Sequence, residues 1–233
     1  MSSTQSRKLR KLKAIIFDFD GVICESNNVK KEAFGRLFDD YSEQVQKDVV
    51  DLHVQNGGLS RYWKFEQIYK NILKEPLTEE RSQELGEKFS SYVFEGVVNS
   101  PYVKGAYEFL QKYHNKLLLL VASGTPHEEM MRVIEAKGLG AFFADVCGAP
   151  TLKGQIINRF IEQYDLAKEE VVFVGDAIND YDGAKDADVE FIGRLDVNYA
   201  NPFDGVQAFA FVDDIFEMEK FLLSKELISK EEI

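Results

Sequence analysis

The segment Ala14-Ile15-Ile16-Phe17-Asp18-Phe19-Asp20-Gly21-Val22 decides the fold. An unbroken apolar run of strand length that stops at two aspartates and a glycine reads as a strand buried on both faces, with polar residues released at its carboxyl end. The same shape recurs downstream. Leu117 to Ala122 ends in Ser123-Gly124-Thr125, Phe142 to Cys147 is followed by Lys153, and Val171 to Gly175 ends in Asp176-Ala177-Ile178-Asn179-Asp180. Glu190 to Gly193 and Ala208 to Val212 are two further strand-length runs. Amphipathic stretches at Lys104 to Tyr113, Thr125 to Lys137, Gly154 to Tyr164 and Asn179 to Lys185 alternate with the strands. This alternation predicts an α/β fold with a doubly wound parallel sheet. Thr125, Pro126 and Glu128 read as the N-cap, first-position proline and capping-box glutamate of the second helix, which Gly138 stops.

Residues 24–99 break that rhythm. They carry helical periodicity and no strand-like run: Phe34, Leu37, Phe38 and Tyr41 share a face, as do Phe65, Ile68, Tyr69 and Ile72, and then Leu85, Phe89, Tyr92 and Val93. The segment is predicted to be an inserted α-helical cap domain (24–99) on a core made of residues 13–23 and 100–233, with linkers near Cys24 to Ser26 and Val97 to Pro101. Residues 1–12 read as a disordered, solvated tail. The basic cluster Arg7, Lys8, Arg10, Lys11 and Lys13 precedes an apolar stretch that breaks at Asp18, too short for an export signal. No other run approaches the ~18 apolar residues of a spanning helix.

Of the 233 residues 45% are hydrophobic, 12% aromatic and 29% charged, which is enough apolar side chain for a real core. Forty Asp and Glu against 28 Lys and Arg give a net charge of -12, which repels a phosphate backbone and argues against nucleic acid as a partner. Two cysteines, Cys24 and Cys147, are too few for a disulfide framework and fit no metal-ligand spacing. Reduced thiols and a cytoplasmic location are expected.

In an open α/β sheet, ligands bind beyond the carboxyl ends of the strands. Those ends carry Asp18 and Asp20, Ser123 and Gly124, Lys153, and Asp176 and Asp180. Carboxylates brought together repel unless a cation or a shared proton offsets them. Mg²⁺, which takes a few oxygen ligands together with waters and a substrate phosphate, suits such an acidic, open end. Lys153, the Ser123 hydroxyl and backbone N–H groups near Ser123 and Gly124 are suited to hold phosphate oxygens. The set describes phosphoryl transfer.

In the cap, Gly57-Gly58-Leu59-Ser60-Arg61 opens the helix that carries Tyr62, Trp63 and Phe65. A glycine loop exposes backbone donors and Arg61 adds a planar cation, a combination suited to an anionic or hydroxylated part of a substrate. The plainer alternative is a turn, a Ser60 N-cap and a solvated arginine. His53, His114 and His127 do not cluster in sequence, and His53 stands out only because it precedes that loop. Glu25 and Ser26, beside Cys24 in the expected hinge, are candidates to line the site. Asp182, Asp186 and Asp188 read as a solvated helix end, because their spacing from Asp180 fits no calcium loop.

Asp18-x-Asp20-Gly21-Val22, Ser123, Lys153 and Gly175-Asp176-x-x-x-Asp180, in this order, resemble the four motifs of the haloacid dehalogenase-type phosphohydrolases over about residues 13 to 212. The inserted cap is similar to that of the subclass containing phosphoglycolate phosphatase and β-phosphoglucomutase. The resemblance implies a Rossmann-like core, with Asp18 as a nucleophile that forms a phosphoaspartyl intermediate and Asp20 as general acid and base. It implies Mg²⁺ held by Asp18, the Asp20 main-chain carbonyl and Asp176, with Asp180 orienting ligands or water from behind. It also implies Ser123, Gly124 and Lys153 for the transferring phosphoryl group. Similarity to the cap specificity loop of sugar-phosphate members implies Gly58 and Arg61 for the rest of the substrate.

Lys153 is followed by Gly154 where relatives usually have proline. The dehalogenases themselves lack the second aspartate, so the presence of Asp20 favours phosphate esters over halo-acids. The expected function is a Mg²⁺-dependent phosphatase acting on a small phosphorylated metabolite such as a sugar, sugar-acid or glycolate-like phosphate. A phosphomutase using the same Asp18 is the alternative, and a non-catalytic binding subunit a remoter one. Neither a membrane nor a nucleic acid is an expected partner.

Overall fold

The computed structural model of the chain describes residues 9–229. Six strands, β1 (Ala14–Phe17), β2 (Leu118–Pro126), β3 (Asp145–Ala149), β4 (Val171–Gly175), β5 (Glu190–Arg194) and β6 (Ala210–Val212), form one parallel sheet in the order β3-β2-β1-β4-β5-β6. Successive side chains point to opposite faces. Ile15, Phe17, Val121 and Val174 pack on one side with Phe109 and Leu110 of α5 (Ala106–Tyr113), Met130 and Val133 of α6 (His127–Ala136) and Met218 of α9 (Ile215–Ser224). Ile16, Leu120, Ala122 and Phe173 pack on the other with Ile156 and Phe160 of α7 (Lys153–Gln163) and Ala184 of α8 (Ile178–Ala187). Burial of both faces is why the strands read as continuous apolar runs.

Phe17 pairs with Val121 on one side and Val174 on the other, so Asp18, Ala122 and Gly175 stand at one level across the three strands. Strand order reverses between β1 and β4, which opens a crevice beyond their carboxyl ends.

Between β1 and α5 the chain forms α1 (Asn27–Leu37), α2 (Glu43–Gln55), α3 (Arg61–Gln67), which continues into a π-helical turn over Ile68–Leu73, and α4 (Glu79–Asn99). Ser42, Ser60 and Thr78 accept backbone hydrogen bonds at the starts of α2, α3 and α4, which fixes where these helices begin. Phe34 is the centre of this cap. Its ring stacks on His53 at 4.3 Å and meets Phe89 at 4.7 Å and Phe65 at 5.8 Å. Each of the three buried phenylalanine rings stabilises the cap by roughly 1.5–3 kcal/mol.

The two passages between core and cap run side by side. The Glu25 amide donates to the Pro101 carbonyl (2.9 Å), the Val103 amide donates to the Ile23 carbonyl (3.0 Å), and Cys24 and Tyr102 form an antiparallel bridge. Lys137, at the end of α6, donates to the Val98 and Ser100 carbonyls where α4 ends (2.8 and 3.0 Å).

Four sequence expectations need correction. Of the expected disordered tail, residues 1–8 lie outside the described residues, but residues 9–12 are packed. The Arg10 amide donates to Glu169 O and the Leu12 amide to Leu227 O (both 2.8 Å), while the Leu12 side chain is buried in the core. Thr125 is not an N-cap: β2 runs through it to Pro126, and α6 starts at His127 without a side-chain cap. Phe142 to Ala144 form a turn rather than the start of β3, with the Phe142 amide donating to Leu139 O. Helix α4 continues through Val97 to Asn99, so the second passage begins at Ser100. Among the described residues no helix is long and apolar enough to cross a membrane, and both cysteines are free and buried.

Candidate active site

The cap lies over the crevice and leaves a cavity of about 180 Å³ between them. Asp18, Asp20, Gly124 and Asp176 line it from the core, and Lys30, Lys31, His53, Gly58, Arg61 and Lys64 from the cap. The first residue past β1 is Asp18. Its Oδ1 accepts the Phe19 amide (2.7 Å) and its Oδ2 lies 3.1 Å from Lys153 Nζ, an ammonium that also bonds Asp180 Oδ1. The other Asp180 oxygen accepts the Ala177 amide at 3.0 Å. Asp18, Asp176 and Asp180 offer carboxylate oxygens all within 4.8 Å of one another.

Crowding of this kind shows in the proton affinities. Burial, with the charges of Asp180, Asp176 and Asp20 added, pushes Asp18 well above the usual carboxylate range despite the opposing pull of Lys153. Asp176 rises to about 7, through burial first and the Asp180 charge second, against the hydrogen bond from Asn27 (2.6 Å). Burial alone would lower Lys153, but Asp18 and Asp180 outweigh it and hold the ammonium charged. Three clustered carboxylates, two of them paired with one lysine, fit a divalent cation, whose charge would offset the residual repulsion. Gly21 is shaped for this cluster: it has a φ of +73°, and a Cβ there would overlap the Asp176 carboxylate.

Asp20 is in a different situation. Its Oδ1 accepts Ser26 Oγ (2.6 Å), and its Oδ2 accepts Thr125 Oγ1 (3.2 Å) and the Lys30 ammonium. Burial would raise its affinity for a proton, but Lys30 and the three hydrogen bonds outweigh it and hold Asp20 below the usual range. Lys30 also donates to Thr125 Oγ1 at 2.7 Å.

Ser123 is buried beside Asp18's strand, its Oγ accepting the Thr125 amide (3.1 Å), where the β2–β3 register shifts. The shift turns Gly124 toward the cap, and the Gly58 carbonyl rests so closely on it that a Cβ on Gly124 would overlap that oxygen. Gly58 itself has a φ of +70° and abuts the Asn179 amide. Gly154, in the place of the expected proline, lets α7 approach α8 within 2.9 Å of where its Cβ would meet Asp186.

Arg61 faces the cavity, yet its guanidinium is neither free nor solvated. It forms a two-pronged pair with Glu129 of α6 (2.6 and 2.9 Å) and donates to Ser90 of α4 (2.6 Å), with its side chain 4% exposed. The pair therefore joins cap to core. Glu25 is taken by Arg194 (2.6 Å) and Ser26 by Asp20. Sequence reasoning missed Lys30, Asn27, Thr125 and Lys64. In sequence Thr125 has the pattern of a helix cap, and the others carry no motif of their own.

A family model for haloacid dehalogenase-like hydrolases matches residues 12–188. The chain belongs to the haloacid dehalogenase-like hydrolases. Among curated relatives of this family, a phosphorylated carbohydrates phosphatase of Thermotoga maritima is 24% identical over 186 residues, covering 78% of this chain and 84% of the relative. A phosphoglycolate phosphatase of Mannheimia succiniciproducens is 26% identical over 206 residues, 82% of this chain and 89% of the relative. The crystal structure of a predicted phosphoglycolate phosphatase from Haemophilus somnus 129PT superposes with a TM-score of 0.74 at 19% identity, over 91% of this chain and 98% of the other, so it shares the fold.

Proposed function

We propose that this hydrolase is a Mg²⁺-dependent phosphatase of small phosphorylated metabolites, working through a phosphoaspartyl intermediate on Asp18. The observation that carries the reading is Asp18 itself: a carboxylate on a strand tip, beside one buried lysine and two further carboxylates, lining a cavity between core and cap. The names of the curated relatives support phosphorylated carbohydrates or phosphoglycolate as the kind of substrate.

In this reading an Asp18 oxygen attacks phosphorus as the ester P–O bond breaks, and the leaving oxygen takes a proton from Asp20. Water then attacks the phosphoaspartate, gives a proton to Asp20, and releases inorganic phosphate as the Asp18–phosphorus bond breaks. Lys30 keeps Asp20 ionised where it stands, the form that receives the proton from water; delivery to the leaving oxygen requires Asp20 protonated and Lys30 withdrawn from it. Lys153, Ser123 and the Gly124 backbone hold the phosphoryl oxygens. Asp18, the Asp20 main-chain carbonyl and Asp176 would hold Mg²⁺, which supplies positive charge against the transferring group. Asp180, with both oxygens engaged, fixes Lys153.

The test is inorganic phosphate release from a panel of sugar, sugar-acid and glycolate-type phosphates, with Mg²⁺ and with EDTA. Release that EDTA abolishes is expected. Conversion of a sugar phosphate to its isomer without phosphate release would replace the phosphatase by a phosphomutase, and full activity in EDTA would remove the metal from the site.

A further inference from the structure

The cavity's cap wall contains a cation that the chemistry above does not use. Lys64, on α3, is 3% exposed and lines the cavity. The other buried cations around the cavity are matched to acids: Lys153 to Asp18 and Asp180, Lys30 to Asp20, Arg61 to Glu129. Among the described residues no carboxylate pairs with Lys64. Its partners are His53 Nδ1 at 3.1 Å and the face of Phe34 at 5.5 Å. A buried charge without a counter-ion is unfavourable, so this position is built for an anion the chain does not provide.

His53 completes the arrangement. While Lys64 is charged its ammonium can only donate, so Nδ1 then accepts from it and the ring proton is on Nε2. Burial, with the charges of Lys64, Lys30 and Lys31, pushes the His53 pKa well below its usual value, so the ring stays neutral. The Phe34 ring stacked on it fixes its plane. Lys64 is itself brought down to about 7, by burial first and then by Lys30, Lys153 and Arg61, against the pull of Asp20. An arriving anion would reverse that.

We propose that Lys64 and His53 form a subsite for a second acidic group, a carboxylate or a second phosphate, carried by the leaving group of the substrate. The proposal rests on the phosphatase reading and narrows it: the preferred ester bears two anions, its phosphoryl group on the core wall beside Lys153 and its second acid on the cap wall beside Lys64. Sugars without an acidic group leave the ammonium unmatched and are poorer substrates.

Two measurements test this. Phosphate release is compared for phosphoglycolate, a bisphosphorylated sugar and neutral-tailed ethyl phosphate, in the parent protein, Lys64→Met and Lys64→Arg. At least one acidic ester should exceed ethyl phosphate by tenfold or more in kcat/KM, and the choice between them tells carboxylate from phosphate. Lys64→Met should shrink that ratio at least tenfold, and Lys64→Arg should restore part of it. A parent protein without preference, or a ratio unchanged in Lys64→Met, would overturn the subsite.

Calorimetry with phosphonoacetate against methylphosphonate, neither of which has an ester to hydrolyse, reads the same subsite without turnover. Phosphonoacetate should bind the parent at least tenfold more tightly, and Lys64→Met should bind the two about equally. Tight, Lys64-dependent binding without phosphate release would defeat the phosphatase reading and keep the subsite, whereas ester hydrolysis without Lys64-dependent discrimination would do the reverse.

Discussion

On the core side of the cavity the reactive groups sit at strand ends or within five residues of them, whereas on the cap side they come from three helices and from residues far apart in the chain. Asp18 and Asp176 are placed by backbone hydrogen bonding: the register Phe17 to Val174 fixes where β1 and β4 end, and the next residues inherit the position. Lys30, His53, Arg61 and Lys64 are placed by aromatic packing around Phe34 and by ion pairs across the seam. The core wall is an anionic cluster short of positive charge, and the cap wall is the converse. A sheet ladder holds a catalytic geometry rigidly, while a helical cap can exchange side chains without disturbing it.

Substitutions on the core wall should therefore depress every substrate alike. Asp18→Asn should lower kcat by roughly 10⁴-fold or more on all esters, with the fold kept, because the amide matches the carboxylate in size but is a poor nucleophile. Steady-state kinetics with circular dichroism would check this, and substantial turnover of any ester would remove covalent catalysis.

The seam comes next. In Gly124→Ala the new methyl meets the Gly58 carbonyl, a backbone atom that must move for the cap to seat. A misplacement of about 1 Å can cost on the order of 100-fold, so kcat/KM should fall roughly 10- to 100-fold with little change in the urea midpoint. Normal kinetics would mean that the Gly58 loop does not need this seat.

The Arg61–Glu129 pair tests whether cap and core are energetically joined. Either alanine variant leaves its partner buried and unmatched, and the double variant should recover part of the loss. A double-mutant cycle in urea should give a coupling of about 1–3 kcal/mol. Simple additivity would show two independent side chains that happen to touch.

The smallest effect concerns charge crowding on the core wall. With its folded pKa raised to about 7 from 3.8, Asp176 contributes no penalty below the unfolded value, a growing one as pH rises between the two, and the full penalty above 7. In EDTA, Asp176→Asn should therefore raise Tm by a few °C at pH 8, the gain fading toward pH 5. A gain independent of pH would assign it to packing.

The same division sets how much could be read from sequence. Strand tips concentrate Asp18, Asp20, Ser123, Asp176 and Asp180 into short motifs, each flagged by an apolar run, so the doubly wound sheet and its acidic end were legible. The cap was legible as helices but not as a wall. Nothing local marks Lys30 as the partner of Asp20, or Glu129 as the partner of Arg61, since both contacts depend on how the cap sits on the sheet. Thr125 misled because a threonine before a proline is equally suited to begin a helix and to end a strand. Residues 9–12 misled because their basic composition hid Leu12, which is anchored through its amide to Leu227 O.

The paired passages between core and cap also set how the cap could travel. Two segments hydrogen-bonded to each other through Glu25, Pro101, Ile23 and Val103 cannot twist separately, so they behave as a ribbon, which bends easily across its face and resists shear and torsion. Any swing of the cap would then follow nearly one arc. A part that can leave only along one path returns along it with few wrong orientations to search, and reseating costs less entropy than for a domain on a single flexible tether.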